Sequence, residues 1–163
     1  MSTRGIIGKR VGENEWYGVY HHFDSYPSGL GNCLVEMFVT EFNMNHELMA
    51  DYLIEQHPMG WSTLMGQSGR KCYCHTNSPA PQDSLHGYSS VKSDWIAGYH
   101  KTDIRTQNTE NWDIEYLYLF GENGIEVYQG NSLYGERLML IPYNKADMFI
   151  EHAILADAVD GLV

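Results

Sequence analysis

The sequence predicts a single α+β domain, an antiparallel sheet built from hairpins with about three helices packed on it. Three observations point there. Patterns occur in the order β-β-α-α-loop-β-β-β-α, with hairpins and helices segregated instead of alternating. The 163 residues are the length of one domain. An apolar fraction of 43%, with 13% aromatic, supplies a core that needs neither disulfides nor metals to form.

The elements follow in order. Arg4 to Val11 is short and apolar, Gly12-Glu13-Asn14 is turn material, and Trp16 to Phe23 is rich in aromatics and valine. Together they predict an N-terminal antiparallel hairpin. Asp24-Ser25-Tyr26-Pro27-Ser28 breaks it, because Pro27 biases Tyr26 away from helix. Ser28 is the expected N-cap of a helix over residues 29–42, where Leu30, Leu34, Phe38 and Phe42 recur every fourth residue. Asn43 or Asn45 caps a second helix carrying Leu48, Met49, Tyr52, Leu53 and Gln56 on one side, and Pro58 and Gly60 end it. Residues 60–90 read as an irregular loop region, interrupted by Arg70-Lys71-Cys72-Tyr73-Cys74-His75. A short strand is expected over 93–100.

In the second half Trp112, Ile114, Tyr116, Tyr118 and Phe120 alternate with Asp113, Glu115, Leu117 and Leu119. Asn123-Gly124 predicts a type I′ hairpin turn, with Ile125 to Tyr128 as the return strand. Leu138 to Tyr143 is a further strand. Asn144 is the expected cap of a last helix with Phe149, Ile150, Ala153 and Ile154 on one face.

Charge narrows the partners. There are 21 acids against 10 bases, a net charge of −11, and from Thr106 onward ten acids face only Arg137 and Lys145. Such a surface repels phosphate backbones, so general nucleic-acid binding is disfavoured. No apolar run approaches the roughly 20 residues of a membrane span. The first residues contain no apolar core of a signal peptide, and the three cysteines suit a reducing compartment. Cys72 and Cys74 are too close for an unstrained disulfide. The expectation is a cytoplasmic protein; the sequence carries no signal for its oligomeric state.

The densest polar cluster is His21 to Pro27. In a regular strand His22 and Asp24 share one face, joining an imidazole to a carboxylate for acid–base work, with Ser25 beside them. Arg4, at the edge of the first strand, is placed near this end if the first two strands pair. Tyr26, Ser28 and Gly29 open the helix, whose free N–H groups favour an anion. These residues nominate His22, Asp24 and Ser25 as catalytic and Arg4, Tyr26, Ser28 and Gly29 as ligand-binding. Ordinary turn and cap chemistry is the competing reading.

Cys72, Cys74 and His75 form the second cluster, and with His86 or His100 they make a candidate zinc site, or a cysteine nucleophile beside a histidine. Inert buried thiols are the plainer alternative. No cofactor other than zinc is suggested. Glu115 and Glu126 fall on adjacent strands and are a candidate carboxylate pair. Ser2, if exposed by loss of Met1, would be an N-terminal nucleophile.

Thr3-Arg4-Gly5-x-x-Gly8, followed by His22-Phe23-Asp24-Ser25-Tyr26-Pro27-Ser28-Gly29-Leu30-Gly31, resembles short bacteriophage and prophage proteins. Cys72-Tyr73-Cys74-His75, Glu115-Tyr116 and Glu126-Val127-Tyr128-x-Gly130 are similar too. The resemblance implies a phage-type accessory protein acting in the host cytoplasm on a host process such as counter-defence. Its partner would be a host protein or a small phosphate-bearing, nucleotide-like ligand. The alternative is a small hydrolase built on the His/Asp/Ser/Arg cluster, with or without zinc. The β-β-α-α opening also resembles class II glutamine amidotransferases, with Ser2 where that family has a cysteine.

Overall fold

The computed structural model describes residues 3–13, 16–65, 69–75, 88–89, 114–130 and 137–151. The expected strand at 93–100, Ser2, His86 and His100 lie outside them.

Strands β1 (Gly5–Arg10) and β2 (Trp16–His21) form the expected hairpin, in the register Gly5 opposite His21 and Arg10 opposite Trp16. A helix follows, running through Pro27–Gly31, Asn32–Glu36 and Met37–Glu41; it is called α1. The second helix, α2, runs through His46–Ala50 and Asp51–Glu55. Both end on a wide turn, with Phe42 N–H donating to Met37 O and Gln56 N–H to Asp51 O. Three short strands come next, β3 (Trp61–Thr63), β4 (Lys71–Cys72) and β5 (Tyr88–Ser89). The expected second half then appears as β6 (Tyr116–Phe120), β7 (Gly124–Gln129) and β8 (Arg137–Pro142). A tight turn over Tyr143–Lys145 leads into α3 (Asp147–Glu151), which packs on α1.

The strands form one sheet in the order β4-β3-β2-β1-β6-β7-β8, with β5 also pairing β2. Most pairings are antiparallel, as expected of a sheet built from hairpins. Two are parallel, β1 with β6 and β2 with β3. They join the hairpins to each other, and the intervening helices and loops supply the crossovers that parallel neighbours need.

Alternation along the strands sorts the core. Ile7, Val19, Tyr118, Phe120, Val127 and Ile141 face the helices and meet Leu30, Leu34, Phe38, Met49 and Leu53. Ile6, Trp16, Tyr20, Leu117, Leu119 and Tyr128 form a second buried cluster on the opposite face. Burial on both faces explains why Ile6 and Ile7 are adjacent and both inaccessible.

Three local expectations are corrected. Ser28 does not cap α1: Tyr26 occupies the cap position without a side-chain bond, and Pro27 is the first helical residue. Proline fits there because its missing N–H has no intrahelical partner to lose. Asn45, one of the two expected caps, does accept from Leu48 N–H (3.2 Å). The β6–β7 turn is not type I′. It centres on Glu122-Asn123, with Phe120 opposite Ile125, and none of its residues has positive φ. Gly124 serves packing instead, because a Cβ there would stand 2.3 Å from the Ile141 carbonyl oxygen. Glu115 and Glu126 do not face each other: Glu126 lies opposite Leu119 and Glu115 precedes β6. Glu126 takes two bonds from Arg10 and one from Tyr128 O–H. Burial would raise its carboxyl, but these partners hold it below the usual range.

Candidate metal centre

The polar residues at the end of β2 separate into two groups. β2 stops at His21, and Asp24 adopts φ +59°, so the alternation that placed His22 and Asp24 on one face is broken. The chain turns inward at Ser25, which is 0% exposed. Ser25 N–H donates to Thr3 O (3.0 Å), and Tyr118 O–H donates to Ser25 O (2.5 Å). Gly5 makes room for it, since a Cβ there would stand 2.6 Å from Ser25 Cβ.

Ser25 meets His21, not His22. Leu64 N–H donates to His21 Nε2 (3.2 Å), so Nδ1 carries the proton and donates to Ser25 Oγ (2.9 Å). Ser25 Oγ in turn donates to His21 O (3.2 Å). In this tautomer His21 donates to the hydroxyl instead of taking its proton. Burial pushes the His21 imidazole down to about 3, with neighbouring His22 acting in the same direction. The His21–Ser25 pair therefore holds the β2–α1 junction together.

His22 lies apart, with Nδ1 bonded to Tyr20 O–H and its ring edge-on to Phe23. Asp24 is exposed, and its carbonyl accepts from Leu30 N–H (3.1 Å). Tyr26 O accepts from Gly29 N–H (2.9 Å). Main-chain partners thus take up N–H groups that an anion would need at the start of α1. Arg4 does lie at this end of the sheet, one residue before the Gly5–His21 pair, and its carbonyl accepts from Glu115 N–H. Ser28 and Gly29 border an open cavity of about 510 Å³ whose lining cation is Arg70.

At the β3–β4 edge, His57, Cys72 and His75 each bring one donor atom within 4.8 Å of the other two. The local sequence explains the placement. His57 leaves the wide last turn of α2 and enters a turn closed by Gly60 N–H on His57 O (2.9 Å). Gly60 has φ +81°, and a Cβ there would lie 2.5 Å from Tyr20 O, so the turn requires glycine. Trp61 then starts β3 and pairs with Cys72 on β4. The His57 ring packs against Trp61 at 4.2 Å and edge-on to Tyr52 at 4.9 Å.

His57 Nδ1–H donates to Tyr52 O (2.6 Å), leaving Nε2 with the ring lone pair. A backbone carbonyl on the far nitrogen is the usual way a metal-binding histidine is oriented. Burial holds this imidazole below its ordinary range, which favours the neutral ligand form, and His75 acts in the same direction. Cys72 Sγ lies 3.0 Å from His75 Nδ1. Cys72 and His57 are buried, while His75 is exposed.

Zinc ligands about 2.0–2.3 Å from the ion stand roughly 3.5 Å apart, so side-chain shifts of about 1 Å would close this triangle. The donor set, two imidazoles and a thiol, suits zinc. Cys74, expected as a ligand, is outside the group: its sulfur accepts from Met59 N–H (3.1 Å). All three cysteines are free.

His57 was missed by sequence reasoning. The signal was a histidine in a Pro-x-Gly helix stop, but nothing in its spacing ties it to residues 72–75. Comparison with family models, curated proteins and solved structures gives no match.

Proposed function

We propose that this chain binds one zinc ion through His57, Cys72 and His75 and uses it to hydrolyse a small phosphate-bearing molecule. The observation that carries the reading is the mutual approach of the three donor atoms, with His57 oriented by Tyr52 O. Three protein ligands leave a fourth position for water, and the exposed His75 puts the group within reach of solvent. Zinc lowers the pKa of such a water to about 7, making hydroxide available at neutral pH. Net charge of −11 disfavours long polyanions and leaves small anions as the better substrates. In the phage-type setting that the sequence resembles, this activity would be counter-defence in the host cytoplasm, by removal of a nucleotide-like signal.

A second reading rests on the 3.0 Å contact between Cys72 Sγ and His75 Nδ1. There His75 accepts the thiol proton and Cys72 is a covalent nucleophile. The test is elemental analysis of the purified chain, followed by hydrolysis of small phosphate esters before and after chelation. Stoichiometric zinc with turnover lost on chelation supports the first reading. Turnover that survives chelation and is lost in Cys72→Ser supports the second. Bound zinc without turnover leaves a binder, of the small ligand or of a host protein.

A further inference from the structure

Three sulfur side chains border the cavity of about 510 Å³ beside α1: Cys33, Met37 and Met65. Cys33 and Met37 are four residues apart on α1, hence on one face. The Cys33 thiol approaches Met37 Sδ at 3.9 Å and the Leu64 carbonyl at 3.7 Å, which points it between Met37 and the segment bearing Met65. Cys33 is half-buried and free and reaches the cavity, with the buried Met37 behind it in the cavity wall.

We propose that Cys33, Met37 and Met65 bind a soft monovalent cation, copper(I). Thioether sulfur together with a thiolate selects copper(I) among biological metals, whereas zinc sites use thiolate, imidazole and carboxylate. The Cys33–Met37 spacing of 3.9 Å agrees, since metal–sulfur bonds of about 2.3 Å at trigonal angles place neighbouring sulfurs about 4 Å apart; Met65, on the same cavity wall, would supply the third sulfur. Binding is an exchange without redox change: copper stays monovalent, the Cu–S bond to Cys33 forms, and the thiol proton leaves to solvent. Burial pushes that thiol up to about 11, so at neutral pH the metal must displace a proton. The site is independent of the His57 group, with which it shares no residue.

The test is anaerobic copper(I) titration against a chromophoric copper(I) chelator. The chain carries Cys72→Ser and Cys74→Ser, so that Cys33 is the one remaining thiol. The expected result is one copper per chain, lost in Cys33→Ser and weakened at least about tenfold in Met37→Leu. X-ray absorption should show sulfur neighbours and no nitrogen. Should the double variant fail to fold, Met37→Leu is compared in the native-cysteine chain with Met148→Leu, an exposed position. Equal copper affinity in those two variants, or no copper retained by a folded double variant, overturns the proposal.

Discussion

His21 and His57 are both buried and both bonded through Nδ1, yet they differ at the second ring nitrogen. His21 has each ring nitrogen occupied, one by Ser25 and the other by Leu64 N–H. His57, among the described residues, is hydrogen-bonded through Nδ1 alone, to Tyr52 O, and its ring stands beside a thiol and a second imidazole. A histidine satisfied at both nitrogens fixes a junction. One satisfied at a single nitrogen and facing other donors is available for chemistry. The denser polar cluster in the sequence is the structural one, and the sparser becomes the candidate site.

Substitution at the two positions should separate these roles. His21→Ala leaves Leu64 N–H without its acceptor, takes from Ser25 Oγ the bond it receives from Nδ1–H, and adds a cavity, so unfolding in urea should show a loss of about 3–5 kcal/mol. His57→Ala in metal-free protein removes one bond and the ring contacts with Trp61 and Tyr52, and the expected loss is about 1–2 kcal/mol. Equal losses would erase the distinction.

The contrast also predicts a pH dependence for His21. Its folded pKa, about 3, lies below the ordinary 6.5, so the unfolded chain binds the proton first. The contribution is therefore complete above about pH 6.5 and declines as pH falls toward 3. Between pH 6.5 and about 5 the decline is about 1.6 kcal/mol, steepening toward about 1.4 kcal/mol per unit below pH 6. Denaturant titrations across this window should show that slope in the native chain and not in His21→Gln; a slope retained in the variant would assign it to other groups.

The smallest effect is expected at Cys74. Its sulfur accepts from Met59 N–H and stands outside the three-donor group. Cys74→Ser should leave zinc affinity unchanged, read by competition with a chromophoric chelator. A large loss would return Cys74 to the ligand set that the C-x-C-H spacing suggested.

Local periodicity made much of the fold legible. The β1–β2 hairpin, both long helices and the β6–β7–β8 meander follow from alternation and fourfold spacing in their own segments. The parallel pairings β1–β6 and β2–β3 were not legible, because they join segments far apart in sequence and carry no turn between them. β3 and β4 are three and two residues long, too short for a period. At the site, Cys72 and His75 were visible as a cluster, whereas His57 reaches them only through the Gly60 turn and the Trp61–Cys72 pairing. Ser25 was misplaced for a backbone reason: the left-handed Asp24 turns the chain inward where a regular strand would have kept alternating.

Zinc binding by the native chain and by His57→Ala, followed by isothermal calorimetry on metal-free, reduced protein, tests the central claim most directly. The account predicts one zinc per native chain and affinity lowered at least about tenfold in the variant, with Cys72→Ser behaving likewise. Absence of zinc binding by the folded native chain, or equal affinity in native and His57→Ala protein, would contradict it.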